Sequence, residues 1–150
     1  METSIGIGEY AVAIAPDLLK TVGLGSCVGV VLFDQGMQLA GMIHVMLPKN
    51  TGKGNASKYA DTGIRILLEE LRRRGAKRIV AKIAGGAQMF ATLRTMQMGL
   101  KNVEEVKQVL LEESVPLIAQ DVGGNSGRTI VFHIDSAQLH ITGRDMSLII

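Results

Sequence analysis

Apolar residues follow two kinds of pattern along the chain, one typical of helices and one typical of strands. Across residues 58–74 they recur at helical spacing and Gly75 follows, which predicts a surface helix with one buried stripe. Asn102 with Glu105 three residues later has the pattern of an N-cap and predicts a second helix over residues 102–113. Shorter apolar stretches predict strands at residues 9–15, 18–24, 28–33, 37–46, 78–84, 117–121, 129–135 and 138–142.

The stretch at residues 28–33 is apolar on both of its alternating faces. A strand of this kind belongs to a sheet that is covered on both sides. With strands before, between and after two helices, the pattern predicts an α/β fold: a layered sandwich with a mixed, largely antiparallel sheet covered by helices. The 150 residues fit a single domain spanning 1–150, because a chain of this length buries about 68–70% of its unfolded surface.

Two hairpins are predicted, and their registers place side chains opposite one another. If Gln35 and Gly36 form a two-residue turn, Cys27 lies directly opposite His44 on one face of the sheet, with Cβ atoms roughly 4.5–5.5 Å apart. A tight turn at residues 136–137 places His133 opposite His140 in the same way. The Gln-Gly turn signal is weaker than Asn-Gly, and a one-residue slip would separate the first pair.

Composition limits the chemistry that the chain can support. Its single cysteine excludes an internal disulfide and a multi-thiolate metal site. With 16 basic and 14 acidic residues the charge is nearly balanced, which argues against nucleic acid as the main partner. A basic patch at residues 72–78 is better explained as a solvated helix end. The first residues lack a signal-peptide pattern and no apolar run reaches the roughly 20 residues of a membrane span, so a cytoplasmic location is expected.

Cys27 and His44 form the candidate catalytic pair. A lone cysteine is most often a small buried hydrophobe, but this one follows Gly-Leu-Gly-Ser, a segment whose backbone N–H groups near Gly25 and Ser26 favour a thiolate and can hold an oxyanion. Facing the thiol, His44 would act as its base and lower its pKa. A third group must orient the imidazole. Thr21 is preferred, although spacing alone allows Ser26 or Asp121.

The remaining candidates favour structural roles. Glycines at residues 23–25 do not form a dinucleotide fingerprint and no Walker lysine follows a glycine pair. The pairs at 85–86 and 123–124 are better explained as tight turns. His133 and His140 resemble half of a metal site, but no third ligand has matching spacing. Residues 49–57 are predicted to form a mobile loop that could lie over the site.

Several segments together resemble one known family, the chemoreceptor glutamine deamidases of bacterial chemotaxis, or CheD family. The resemblance covers nearly the whole chain. It rests on residues 6–12 (GIGEYAV), 21–28 (TVGLGSCV), 44–48 (HVMLP), 58–61 (KYAD), 82–90 (KIAGGAQMF) and 121–125 (DVGGN), together with Gly99, Asn102 and Arg128.

This resemblance implies a fold, an activity and partners. The implied fold is similar to the catalytic domain of cytotoxic necrotizing factor toxins. The implied activity is hydrolysis of selected receptor glutamine side chains to glutamate, with Cys27, His44 and Thr21 as catalytic residues and no cofactor or metal. The implied partners are the cytoplasmic helical region of chemoreceptors and the CheC-type phosphatase of the response regulator, with no nucleic acid and no membrane insertion.

The predicted mechanism joins this activity to the Cys27–His44 pair. The thiolate would form a thioester with the glutamine side chain, and His44 would act as general acid and base. The same route would hydrolyse a glutamyl methyl ester, so a receptor methylesterase is one alternative. The other is a non-catalytic adaptor that binds the phosphatase or receptor, with Cys27 as a core residue.

Overall fold

The computed structural model describes residues 1–88 and 93–150 as one α/β domain with ten strands and two helices in those ranges. In chain order, the elements are β1 (Glu2–Ser4), β2 (Tyr10–Ile14), β3 (Leu18–Leu24), β4 (Val28–Asp34), β5 (Leu39–Val45), a 3₁₀ turn (Ala56–Lys58), α1 (Ala60–Arg73), β6 (Val80–Gly85), α2 (Leu93–Glu112), β7 (Leu117–Val122), β8 (Arg128–His133), β9 (Gln138–Gly143) and β10 (Met146–Ile149).

The strands form two five-stranded sheets. Sheet A has the order β1-β3-β8-β9-β10, and sheet B has the order β2-β5-β4-β6-β7. Each sheet is mixed, because β1 runs parallel to β3 and β6 runs parallel to β7 while the other pairs are antiparallel. The predicted α/β class is confirmed, whereas the prediction of a single sheet covered by helices is wrong, because there are two sheets. A second sheet replaces the helices on one side.

Sheet B is the central layer because its middle strands are apolar on both faces. Every residue of β4 and β5 is buried. On one face Val28, Val30 and Leu32 pack in a cluster with the buried residues of α1 and α2. On the other face Val31 and Phe33 pack in a second cluster with residues of sheet A. The predicted burial of both faces is confirmed. The second cluster fills the space between the two sheets, where His44 and Thr21 are in contact.

Both predicted hairpins form with longer loops than expected. Asp34 pairs with Leu39 and His133 pairs with Gln138, so each loop contains four residues. The last loop residue has a left-handed backbone in each case, with φ of 53° at Gln38 and 57° at Ala137. The predicted two-residue turns are wrong, and both registers differ from the predicted ones by two residues. A shift of two preserves the face to which each side chain points.

The first helix agrees with its pattern and the second does not. After α1, Gly75 N–H donates to Arg72 O and Ala76 N–H donates to Leu71 O, each at 3.0 Å, which is the Schellman ending that Gly75 predicted. By contrast, α2 begins at Leu93, so Asn102 lies inside the helix and is not its N-cap. Asn102 is fully buried, and its side chain contacts the candidate site.

Candidate active site

Thr21 and His44 approach each other across the space between the two sheets. His44 lies on β5 directly opposite Gly29, where a Cβ would come within 2.5 Å of Ile130 Cδ1 in sheet A. This face of sheet B is therefore turned towards sheet A. Thr21 lies on β3 of sheet A, and its Oγ1 is 2.7 Å from His44 Nδ1. Both side chains are buried, with exposures of 1% and 0%.

The hydroxyl of Thr21 fixes the tautomer of His44. Oγ1 donates its single proton to Ile5 O at 2.7 Å, because a carbonyl oxygen can only accept. Oγ1 must then accept from His44 Nδ1–H at its other 2.7 Å contact. The neutral imidazole therefore carries its proton on Nδ1 and a lone pair on Nε2. Nε2 is buried and has no hydrogen-bond partner among the described residues, so it is free to take a proton.

Cys27 lies on the same face of sheet B as His44, one residue before β4 begins at Val28. Since His44 pairs with Gly29 and Val28 pairs with Val45, Cys27 is a diagonal neighbour of the histidine. The predicted direct opposition is therefore wrong, while the shared face is kept. Diagonal neighbours have Cα atoms about 7–8 Å apart, within reach of long side chains. Cys27 is half-buried and packs against the cluster between the sheets.

Burial keeps both groups neutral in the resting protein. It raises the pKa of the Cys27 thiol and lowers the pKa of His44, because a low-dielectric environment disfavours the charged form of each. The expectation that His44 lowers the thiol pKa is wrong for this conformation. A neutral thiol beside an imidazole with a free Nε2 can react once the proton moves from sulfur to nitrogen.

The segment before Cys27 is held by three of its carbonyl groups. Gly25 O accepts from Ala87 N–H and Cys27 O accepts from Gly86 N–H, both at 2.8 Å. Ser26 O accepts from the side-chain amide of Asn102 at 2.9 Å. The N–H of Gly25 donates to Gly23 O at 3.1 Å, so it is not open to a ligand. The N–H groups of Ser26 and Cys27 donate to no acceptor within residues 1–88 and 93–150.

Comparison with known proteins identifies the family. The family model described as CheD chemotactic sensory transduction matches residues 46–143. A protein of Geobacillus kaustophilus named probable chemoreceptor glutamine deamidase CheD is 48% identical, over 91% of this chain and 89% of that protein. Proteins named chemoreceptor glutamine deamidase CheD from Halalkalibacterium halodurans and Thermotoga maritima are 47% and 46% identical, over 91% and 93% of this chain and 90% of each relative. The chain belongs to the CheD family.

The loop over residues 49–57 is fastened in this CheD-family chain. Tyr59 is fully buried, and its hydroxyl donates to Lys53 O at 2.5 Å and contacts Thr51 Oγ1 at 2.8 Å. Asn50 N–H donates to Asp61 at the start of α1, at 3.0 Å. A cleft of about 640 Å³ separates residues 47–51 from α2. These contacts hold residues 50–53, the first half of the segment for which a mobile loop was predicted.

The other candidate residues of the family motifs have structural partners. Asp121, the alternative partner for His44, accepts from Arg128 Nε at 3.0 Å. Gly85 and Gly123 join two turns, with Gly123 N–H donating to Gly85 O at 2.9 Å. Met89 and Phe90 lie outside the described residues. Asn102 was predicted to be an N-cap and is instead a buried residue inside α2. The sequence feature that indicates this burial is the position of its polar amide on the apolar stripe that includes Val103 and Val106.

The second histidine pair and the basic patch lie away from the site. His133 and His140 have ring centroids 4.1 Å apart, although Val131 and not His133 is directly opposite His140. No group of three potential metal ligands occurs in the described part of the chain. In the basic patch, Arg73 and Arg74 make ion pairs with glutamates of α1, as a solvated helix end does. None of the helices in the described ranges is long and apolar enough to cross a membrane.

Proposed function

We propose that this CheD-family chain hydrolyses glutamine side chains of chemoreceptors to glutamate, with Cys27 as nucleophile and His44 as general acid and base. Relatives 46–48% identical over most of their length carry the name chemoreceptor glutamine deamidase. The observation that carries the mechanism is the 2.7 Å contact of Thr21 with His44 Nδ1. It leaves Nε2 unprotonated on the face that Cys27 shares.

Acylation begins when the substrate carboxamide enters beside Cys27. His44 Nε2 takes the thiol proton and the sulfur attacks the carboxamide carbon, forming a tetrahedral oxyanion. The N–H groups of Ser26 and Cys27 are the donors proposed to stabilise that oxyanion, with Gly25 holding the turn through its carbonyl. His44 then returns the proton to the nitrogen as the C–N bond breaks. Ammonia leaves and a thioester joins Cys27 to the receptor.

Deacylation uses the same groups in reverse order. A water molecule replaces ammonia, His44 Nε2 takes one of its protons, and the hydroxide attacks the thioester carbon. The C–S bond breaks, the sulfur recovers a proton from His44, and the side chain departs as glutamate. Thr21 stabilises the imidazolium in both steps, because its Oγ1 accepts from Nδ1–H throughout.

Mass spectrometry of a receptor cytoplasmic fragment tests the proposal. Cys27→Ala should abolish conversion of glutamine to glutamate while leaving receptor binding largely intact. His44→Ala should lower the rate by about 10²- to 10⁴-fold, the usual contribution of a general acid–base group, and His140→Ala is the matched control on sheet A. Unchanged conversion by Cys27→Ala would refute the proposal. Release of methanol from methylated receptors without ammonia from amidated ones would indicate the methylesterase alternative.

The finer family properties are also part of the proposal. The substrate is the cytoplasmic helical region of the receptors, and the CheC-type phosphatase is a partner that competes with them for the chain. The layered α/β fold with its cysteine between two sheets is proposed to be related to the cytotoxic necrotizing factor catalytic domain. A competition assay tests the partner proposal. Added phosphatase should slow receptor deamidation without lowering the thermal stability of this chain.

A further inference from the structure

Asn102 is a buried polar residue in the middle of α2. It is fully buried on the inner side of the helix, which also carries Val103 and Val106. Asparagine is a weak helix former, and burial of its amide is unfavourable unless the amide is hydrogen-bonded. Local helix stability therefore does not account for an asparagine at this position. Its side-chain contacts do.

The amide of Asn102 joins two chain segments where the β4–β5 ladder ends. The last backbone pair of that ladder is Val28 with Val45. Beyond that pair, Asn102 Nδ2 donates to Ser26 O at 2.9 Å and to Met46 O at 3.0 Å. An amide NH₂ has two donors, and both are used. The side chain thus links the segment that carries Cys27 to the segment that follows His44.

The bond to Ser26 O also orients the N–H of Cys27. These two groups belong to one planar trans peptide, in which C=O and N–H point in opposite directions. Because Ser26 O points at Asn102, the N–H of Cys27 points away from α2. That N–H donates to no acceptor in the described ranges.

Gly99, one turn earlier on α2, brings the helix close enough for this contact. A Cβ at Gly99 would lie 2.5 Å from Ala87 O and 2.6 Å from Gly86 O. The N–H groups of the same two residues hold Gly25 O and Cys27 O. The helix, the 86–87 segment and the cysteine turn are therefore packed backbone to backbone.

We propose that Asn102 is a positioning residue for acyl transfer, which holds the Cys27 N–H in the direction needed to stabilise the oxyanion on the Cys27 side of the site. The inference rests on the proposed function for its substrate. It is testable without a receptor, because any acyl transfer to Cys27 passes through an oxyanion.

The experiment compares two reactions of the single thiol. p-Nitrophenyl acetate acetylates Cys27 through a tetrahedral oxyanion and releases p-nitrophenolate, whereas iodoacetamide alkylates the same sulfur by displacing iodide, with no oxyanion. Changes in the ionisation of the Cys27 thiol, or in its accessibility to reagents, affect both reactions and therefore cancel in the ratio of the two second-order rate constants. Asn102→Leu and Asn102→Ala are compared with wild type and with Val106→Ala, a control that creates a cavity on the same helix without touching either carbonyl. Circular dichroism establishes which variants are folded at the assay temperature.

The acetylation-to-alkylation ratio should fall by at least about tenfold in a folded Asn102 variant, approaching the about 10²- to 10³-fold cost of losing one oxyanion donor. It should stay within about twofold of wild type in Val106→Ala. Equal loss of both reactions, or an unchanged ratio, overturns the inference, and so does failure of both Asn102 variants to fold while Val106→Ala folds. If wild type is acetylated but converts no receptor glutamine, the proposed function fails and the ratio still decides the role of Asn102.

Discussion

Replacement of Thr21 by valine removes the hydroxyl that orients His44 while keeping the size and branching of the side chain. The hydroxyl has two partners at 2.7 Å, Ile5 O and His44 Nδ1, and both lose their bond. Thr21 is 1% exposed, so water does not readily take its place. Thr21→Ser keeps the hydroxyl and is the matched control.

The size of the effect follows from the charge that His44 gains during acylation. A hydrogen bond to a charged group contributes about 1.5–3 kcal/mol, and each 1.36 kcal/mol corresponds to a factor of ten in rate. Thr21→Val should therefore lower kcat/KM by about 10- to 150-fold. In the folded state the unpaired Ile5 O and Nδ1–H should each destabilise the protein by about 1–3 kcal/mol.

Two assays separate these effects. Ammonia release from a receptor fragment gives kcat/KM, and urea unfolding gives the free energy of unfolding. Thr21→Ser should retain at least about a third of wild-type kcat/KM, since a serine hydroxyl makes the same two bonds. The proposed role of the Thr21 hydroxyl is refuted if folded Thr21→Val keeps more than half of the wild-type kcat/KM, or if Thr21→Ser is as impaired as Thr21→Val.

Three further predictions concern the helix, the pH dependence and the first hairpin. Gly99→Ala should lower both the free energy of unfolding and deamidase activity, because the clash with two carbonyl oxygens outweighs the roughly 1 kcal/mol that alanine gains in a helix; a variant as stable as wild type in urea would contradict this. Burial lowers the pKa of His44, so kcat/KM should be flat down to about pH 6.5 and fall below it, whereas an acid limb with an apparent pKa above 7 would show that the base is not this buried imidazole. Backbone N–H groups of Lys77 and Arg78 lower the pKa of Asp34. Because its folded pKa is the lower one, its stabilisation is complete above the unfolded pKa of about 3.9 and is lost as pH falls through the folded pKa. Asp34→Ala should accordingly cost about 1.5–3 kcal/mol at pH 7, measured by urea unfolding, and this loss should shrink as the pH is lowered below about 3.9; a loss that stays the same down to the lowest pH at which the protein is folded would contradict this role of Asp34.

Most helices and strands could be predicted from the sequence, because the spacing of apolar residues reflects which side of each element is buried. The strand at Leu18–Leu24 was predicted with its observed bounds, and α1 within two residues of them. The two-sheet arrangement was not predictable in this way, since an apolar face does not specify whether a helix or another sheet covers it. The hairpin registers were predicted wrongly because Gln38 and Ala137 adopt left-handed φ values of 53° and 57°. This conformation is uncommon for glutamine and alanine, so the sequence does not indicate it.

The candidate site was partly readable for the same reasons. Cys27 and His44 share a face because the register error was two residues and strands alternate with period two. The contact of Thr21 with His44 was a preference among three options, and it depends on the distant pairing of two sheets. Asn102 was wrongly predicted to be an N-cap, because asparagine is common at N-caps and the sequence does not show that this side chain instead donates to Ser26 O and Met46 O. The catalytic roles of all these residues stay predictions.

Partition of the acyl intermediate is the most direct test of the claim that Cys27 forms a thioester with receptor glutamine. Hydroxylamine added to the reaction competes with water for a thioester and converts it to glutamyl hydroxamate, regenerating the Cys27 thiol. Mass spectrometry of the receptor should show hydroxamate growing at the expense of glutamate as hydroxylamine increases. At receptor concentrations well below KM the rate of ammonia release should stay constant, because kcat/KM includes only the steps up to acylation. Glutamate as the sole product at every hydroxylamine concentration would contradict the account.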